Sequence, residues 1–375
     1  MRPSSRRHHR SPVPTETRIS RQSRDKCPDR APNVPKQPPQ RIRYVRASDG
    51  VQLAWADAGS GPVVVKAANW LTHLEDEWAS PLWGHWIQFF CRHFRVVRYD
   101  ERGCGMSDWE ADDLSLERRV ADLEAVIDAA GLTEPFVMLG ISLGGAVSIA
   151  YAARHPERIS RLLLYGPYVR GIALRGDPES ARVNQAIIDL ARFGWGQDNP
   201  AFRQVFTSRF LPGGTSEQIS WFNELCRKTT SPRMAAALME SRTLVNAVPY
   251  LEKIRTPTLV IHARDDQAVP LAEGRLVASG IARAEFLELD SKNHILLSNE
   301  PAWERFCSAV LAFTGQEPEP PAGEDPVFQS LTHREREVMG LLVRGLGNAD
   351  IAQQLSLSEK TVRNHISNVF DKLGV

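Results

Sequence analysis

The run Gly140-Ile141-Ser142-Leu143-Gly144 stands between an apolar, strand-like stretch (136–139) and an alanine-rich helical one (146–154). A G-x-S-x-G run in that setting predicts a sharp strand-to-helix turn that lifts a serine hydroxyl to the end of a sheet, a nucleophile's position. Outward from it, short apolar runs alternate with amphipathic ones. Strands are expected at 51–56, 63–67 and 95–99, then a helix at 115–130 with Leu116, Val120, Leu123, Val126 and Ile127 on one face, then strands at 161–165, 258–262 and 284–289. This alternation implies a mostly parallel sheet covered on both faces by helices. Residues 168–249 break the rhythm, reading as helical throughout and rich in Trp195, Phe202, Phe206, Phe210, Trp221 and Phe222. An insertion at this point would cap the active-site face and line a substrate pocket.

The 375 residues, 42% hydrophobic and 24% charged, suit one large domain and one small one. The net charge of +1 conceals an asymmetry: residues 1–40 carry ten Lys/Arg, three acids and eight prolines, a composition expected to stay disordered. Residues 317–330 carry four acids and no base, and their Pro-Glu-Pro-Pro reads as a stiff linker. Five scattered cysteines form no C-x-x-C pair, so no metal site and no disulfide framework are expected, and a reducing cytoplasm fits. Arg6-Arg7 is followed by no apolar stretch, which argues against a secretion signal. Residues 136–153 lack charge, but a buried strand running into a buried helix explains them better than a membrane span.

A serine needs a base to take its proton and a carboxylate to hold that base in the right tautomer. Asp265-Asp266 follow the strand expected at 258–262, and His294 comes 28 residues after Asp266, beyond the last strand. Taken alone, each is weak: G-x-S-x-G arises by chance, a lone histidine is usually structural, and paired aspartates often mark a solvated turn. The order Ser, Asp, His at three successive strand ends carries the reading, because that order belongs to this architecture. The run Tyr99-Asp100-Glu101-Arg102-Gly103-Cys104-Gly105-Met106-Ser107 is similar to the D-x-R-G-x-G-x-S that follows a strand in α/β hydrolases, and residues 41–316 resemble that family. The resemblance implies an α/β-hydrolase fold with a helical cap over 168–249, a catalytic set of Ser142, Asp266 (Asp265 as fallback) and His294, and no cofactor. It also implies an oxyanion hole from the backbone N–H groups of Leu143 and Trp70. Many members carry His-Gly in the loop after 63–67, where this chain has Ala68-Asn69-Trp70.

The last 45 residues read differently. Thr332 and Glu335 form a capping box opening a helix with Val338, Leu341, Leu342 and Leu346 on its apolar side, and Gly345 is expected to end it. A short helix is expected at 348–355, then a third from Ser358 that buries Val362, Ile366, Val369, Phe370 and Leu373 and leaves a polar face suited to a major groove. Leu331-Thr332-His333-Arg334-Glu335, Asn348-Ala349-Asp350-Ile351-Ala352 and Thr361-Val362-Arg363-Asn364-His365 resemble the LuxR-type helix-turn-helix, which places an all-α DNA-binding domain at 331–375. Carried over, the DNA contacts are Lys360, Thr361, Arg363, Asn364 and His365. Family members usually continue past this Leu-Gly-Val into a fourth helix that pairs protomers, whereas this sequence stops at Val375, so a homodimer is expected to form through the larger domain or through missing C-terminal residues. The joint expectation is a cytoplasmic transcriptional regulator whose hydrolase domain binds, and hydrolyses, a small acyl or ester ligand. Its rivals are a sensor without turnover and an enzyme that the helix-turn-helix merely tethers.

Overall fold

The computed structural model describes residues 39–316, 331–343, 346–355 and 357–373. All but the last two residues of the expected basic tail, and the whole of the linker at 317–330, lie outside them. Eight strands form one sheet: β1 (Arg41–Arg46), β2 (Gln52–Ala58), β3 (Val63–Lys66), β4 (Arg95–Tyr99), β5 (Phe136–Ile141), β6 (Ile159–Tyr165), β7 (Thr258–Ala263) and β8 (Ala284–Leu289), in the order β1-β2-β4-β3-β5-β6-β7-β8. β1–β2 and β2–β4 pair antiparallel and every later pair is parallel.

Because side chains alternate along a strand, each central strand feeds two cores. Val64, Val96, Val137, Leu139, Leu163 and Ile261 pack with α1 (Gly84–His93) and α10 (Pro301–Thr314). Val65, Val97, Met138, Leu162, Leu164 and Val260 pack with α2 (Leu116–Ala129), α3 (Leu143–Arg154) and α9 (Leu271–Gly280). The uncharged stretch at 136–153 is β5 and α3, both buried, and among the described residues no helix is long and apolar enough to cross a membrane.

β1 and α1 were not expected. β1 (RIRYVR) is an edge strand with Arg41 and Arg46 exposed and Arg43 half-buried against Asp57, a charge pattern that protects an edge but hides the strand signal. α1 starts at a glycine, has no side-chain cap and is built largely of aromatics, so packing of Trp86 and Phe90 makes it a helix where propensity alone would not.

The cap contains α4 (Pro178–Gly194), α5 (Ala201–Thr207), α6 (Ser216–Thr229), α7 (Pro232–Thr243) and α8 (Val248–Leu251). Asp177, Thr215 and Ser231 accept hydrogen bonds from the first turns of α4, α6 and α7, with a full capping box at Thr215. Trp70, Trp195 and Phe206 meet edge to face at 5.6–5.8 Å and join the cap to the loop after β3.

The C-terminal body consists of α11 (His333–Val343), α12 (Asn348–Gln354) and α13 (Glu359–Leu373) around Val338, Leu341, Ile351, Ala352 and Val362. Thr332 Oγ1 accepts the Glu335 N–H and Glu335 accepts the Thr332 N–H, closing the capping box. Val369 is buried, but Phe370 is 47% exposed, a correction to its assignment as core. Successive helical positions are rotated by about 100°, so with Val369 facing inward its neighbour turns to the flank. Gly345 and the side chain of Leu373 lie outside the described residues.

Candidate active site and nucleic-acid interface

Ser142 sits between β5 and α3 at φ 53°, ψ −121°, and among the described residues no other non-glycine has a positive φ. Its N–H donates to Tyr165 O on β6, and its carbonyl accepts from Gly145 N. The flanking glycines make the turn possible: a Cβ at Gly140 would lie 2.8 Å from Gly144 O, and one at Gly145 2.7 Å from Pro167 Cβ. Close packing thus keeps two poor helix formers in the first turn of α3, which begins three residues before the stretch that sequence marks as helical.

Asp266 follows β7. Its Oδ1 accepts the N–H groups of Ala268 (2.8 Å) and Val269 (2.9 Å), while Oδ2 lies 2.6 Å from His294 Nδ1. Burial raises the Asp266 pKa, but the His294 ring and the Val269 N–H outweigh it and hold the carboxyl below its ordinary range. Asp265, the fallback, makes no such contact; its N–H donates to Ser291 O.

His294 is 2% exposed, and its Nε2 is buried without a hydrogen-bond partner. The cap holds its backbone through Phe210 O (2.9 Å), and the Phe210 ring meets the imidazole edge-on at 5.3 Å. Behind the ring stands Gly166 at φ +51°, where a Cβ would come 3.0 Å from His294 Cε1. Glu300 braces the loop by accepting from Ser291 Oγ and Leu297 N, both at 2.6 Å.

The structure brings Asp266 and His294 into contact, and gathers Ser142, Leu143 and Trp70 around one cleft of about 770 Å³, counting its open mouth. The loop bearing Trp70 is fixed from below: Asn69 accepts from the half-buried Lys66 ammonium and donates to Trp70 O (3.2 Å).

Sequence reasoning missed several groups here. His262 on β7 is fully buried, donates from Nε2 to Val269 O (3.0 Å) and stands 3.7 Å from Asp266 Oδ2; burial lowers its pKa, keeping the imidazole neutral. Arg175, Arg209 and Arg242 line the cleft. No motif marks these residues, because the cap folds distant segments onto the site. The D-x-R-G-x-G-x-S run is structural: Asp100 accepts from Leu74 N and Met106 N, and Arg102 pairs with the buried Asp122 at 2.6 Å.

In the C-terminal body Ser358 caps α13 through Thr361 N (3.1 Å). Lys360, Arg363 and Asn364 are exposed on that helix, with Thr361 and His365 half-buried beside them. Lys372 reaches back to Glu335 (2.7 Å) and ties α13 to α11.

Residues 87–302 match the family described as "Serine aminopeptidase, S33", and residues 329–375 match "Bacterial regulatory proteins, luxR family". The chain is 28% identical over 271 residues to 2-hydroxymuconate semialdehyde hydrolase of Pseudomonas sp. strain CF600, covering 69% of this chain and 85% of that one. It is 27% identical over 277 residues to pyrrolizixenacetamide deacetylase of Xenorhabdus hominickii, covering 72% and 97%. A solved hydrolase from Pseudomonas aeruginosa superposes with a TM-score of 0.61 at 26% identity, over 73% of this chain and 98% of its own. With more than half of its length inside the first of those matches, the chain belongs to the α/β-hydrolase family and carries a luxR-family DNA-binding helix-turn-helix at its end.

Proposed function

We propose that this protein is a transcriptional regulator whose hydrolase domain binds and cleaves a small acyl or ester ligand with Ser142, His294 and Asp266, and whose helix-turn-helix reads an operator with Lys360, Thr361, Arg363, Asn364 and His365. The observation that carries the reading is the buried Asp266–His294 pair at 2.6 Å, which leaves Nε2 of the ring without a partner. Asp266 holds Nδ1 protonated, so Nε2 carries the lone pair that accepts the serine proton. Ser142 Oγ then bonds to the ligand's carbonyl carbon, the carbonyl oxygen becomes an oxyanion facing the N–H groups of Leu143 and Trp70, and the leaving alkoxide departs with the proton from Nε2. Water repeats the sequence to release the acid. The first turn of α3 supports this assignment, since free N–H groups at a helix start favour negative charge.

On the DNA side, the exposed, cationic and hydrogen-bonding residues of α13 support groove reading, and a cytoplasmic homodimer is the form in which two half-sites would be engaged. A fluorophosphonate probe tests the chemistry: labelling of the full chain at Ser142 that disappears in Ser142→Ala is expected. Absence of labelling in the wild type would leave the sensor reading, in which ligand is bound and not cleaved.

A further inference from the structure

The walls of the Ser142 cleft hold three arginines, Arg175, Arg209 and Arg242, and no aspartate or glutamate. Their charges are only partly answered. Arg242 shares Glu101 with Arg119, and its Nε is buried without a partner. Arg175 lies 3.9 Å from Glu273, whose carboxylate is bound more closely by Arg170 at 2.6 Å. Arg209 forms no ion pair among the described residues; its guanidinium donates one hydrogen bond there, at 3.4 Å, to Gln267 O. Burial, followed by the positive charge of Arg175, lowers the pKa of Arg209, so the two guanidiniums feel one another across the cleft. Asp266 favours the Arg209 charge, but His294 already occupies that carboxylate. Most of the remaining wall is apolar, formed by Trp70, Ile172, Ile187, Phe206, Phe210 and Met239, with Tyr168, Asn184 and Thr243 as its polar members.

A cleft that desolvates incompletely paired guanidiniums is destabilised until an anion enters, and a planar carboxylate matches the guanidinium fork. We infer that the ligand is an acyl compound bearing a carboxylate: an apolar segment spans the aromatic wall, the carboxylate meets Arg175 and Arg209, and the scissile carbonyl lies at Ser142. This rests on the catalytic reading above only for the last of those contacts. Neutral alkyl esters would fill the apolar wall and leave the arginines unanswered.

The test compares p-nitrophenyl hydrogen adipate with p-nitrophenyl hexanoate, which share a chain length and differ in the terminal carboxylate. For the full chain, kcat/KM is expected to favour the adipate by about tenfold or more. Arg209→Gln and Arg175→Gln should each lower kcat/KM for the adipate far more than for the hexanoate, and Arg209→Lys should recover part of the preference. Equal rates on the two esters, or variants that slow both in proportion, overturn the proposal. If neither ester is cleaved, the catalytic reading fails by itself, and thermal melting still decides this one. Monoethyl adipate should raise Tm more than diethyl adipate, with the difference lost in Arg209→Gln, whereas equal shifts or none refute it.

Discussion

Ser142, His294 and Gly166 bind one another's geometry. The serine turn at φ 53° packs against Gly140, Gly144 and Gly145, where an added Cβ would clash, and the imidazole rests against a glycine that is itself at φ +51°. Gly166→Ala would force a Cβ to within 3.0 Å of His294 Cε1. It is expected to destabilise the fold by about 1–3 kcal/mol from backbone strain, and to slow fluorophosphonate labelling through displacement of the ring. Labelling time courses and thermal melts on one preparation separate the two effects. Asp266→Asn keeps the shape but loses the tautomer control, so labelling at Ser142 should slow by about 10⁴-fold with little change in Tm. A variant labelled at the wild-type rate would remove Asp266 from the assignment.

At the scale of single elements, the parts that sequence shows most clearly are those where local and tertiary preferences agree. α2 has its Ser115 cap and a regular apolar stripe, and β4 and β8 fall at the expected residues. β1 and α1 were hidden because an edge strand written in arginines and a helix written in aromatics oppose local propensity, and packing decides them. The serine, aspartate and histidine were legible because strand ends punctuate them. The three arginines of the cleft were not, since they come from separate cap segments whose relative placement depends on tertiary contacts. Capping in the C-terminal body offers a test: Thr332→Ala should destabilise α11 by about 1 kcal/mol. The Lys372 ammonium, followed by the Thr332 N–H, lowers the Glu335 pKa from 4.5 to about 2. A carboxylate depressed in the folded state stabilises above its unfolded pKa, and that contribution fades as pH falls through the window between those values. Lys372→Met should therefore lower the melting temperature of this body at neutral pH, with the gap to wild type closing in acid; calorimetry across pH reads it.

For the molecule as a whole, a hydrolase body and a luxR-family body share one chain. If α13 reads the groove, Arg363→Ala with His365→Ala should weaken operator binding by about 1–3 kcal/mol per lost base contact, whereas Lys360→Ala should weaken all sequences alike and reduce the salt slope by about one. Titrations at several salt concentrations distinguish base readers from phosphate contacts. If the hydrolase body gates DNA binding, a cleft ligand must change operator affinity in wild type, and linkage requires the operator to change ligand affinity by the same factor.

The crowding around Gly140 and Gly145 has a bearing on how this scaffold can diversify. With no room for one added methyl beside the serine turn, substitutions at these glycines should disrupt the fold before any new ligand is tried. Variation that retunes what is recognised has more room among the cap residues facing the cleft, so a laboratory library restricted to Ile172, Asn184, Ile187 and Met239 should yield many folded clones with altered preferences, and one saturating 140–145 very few.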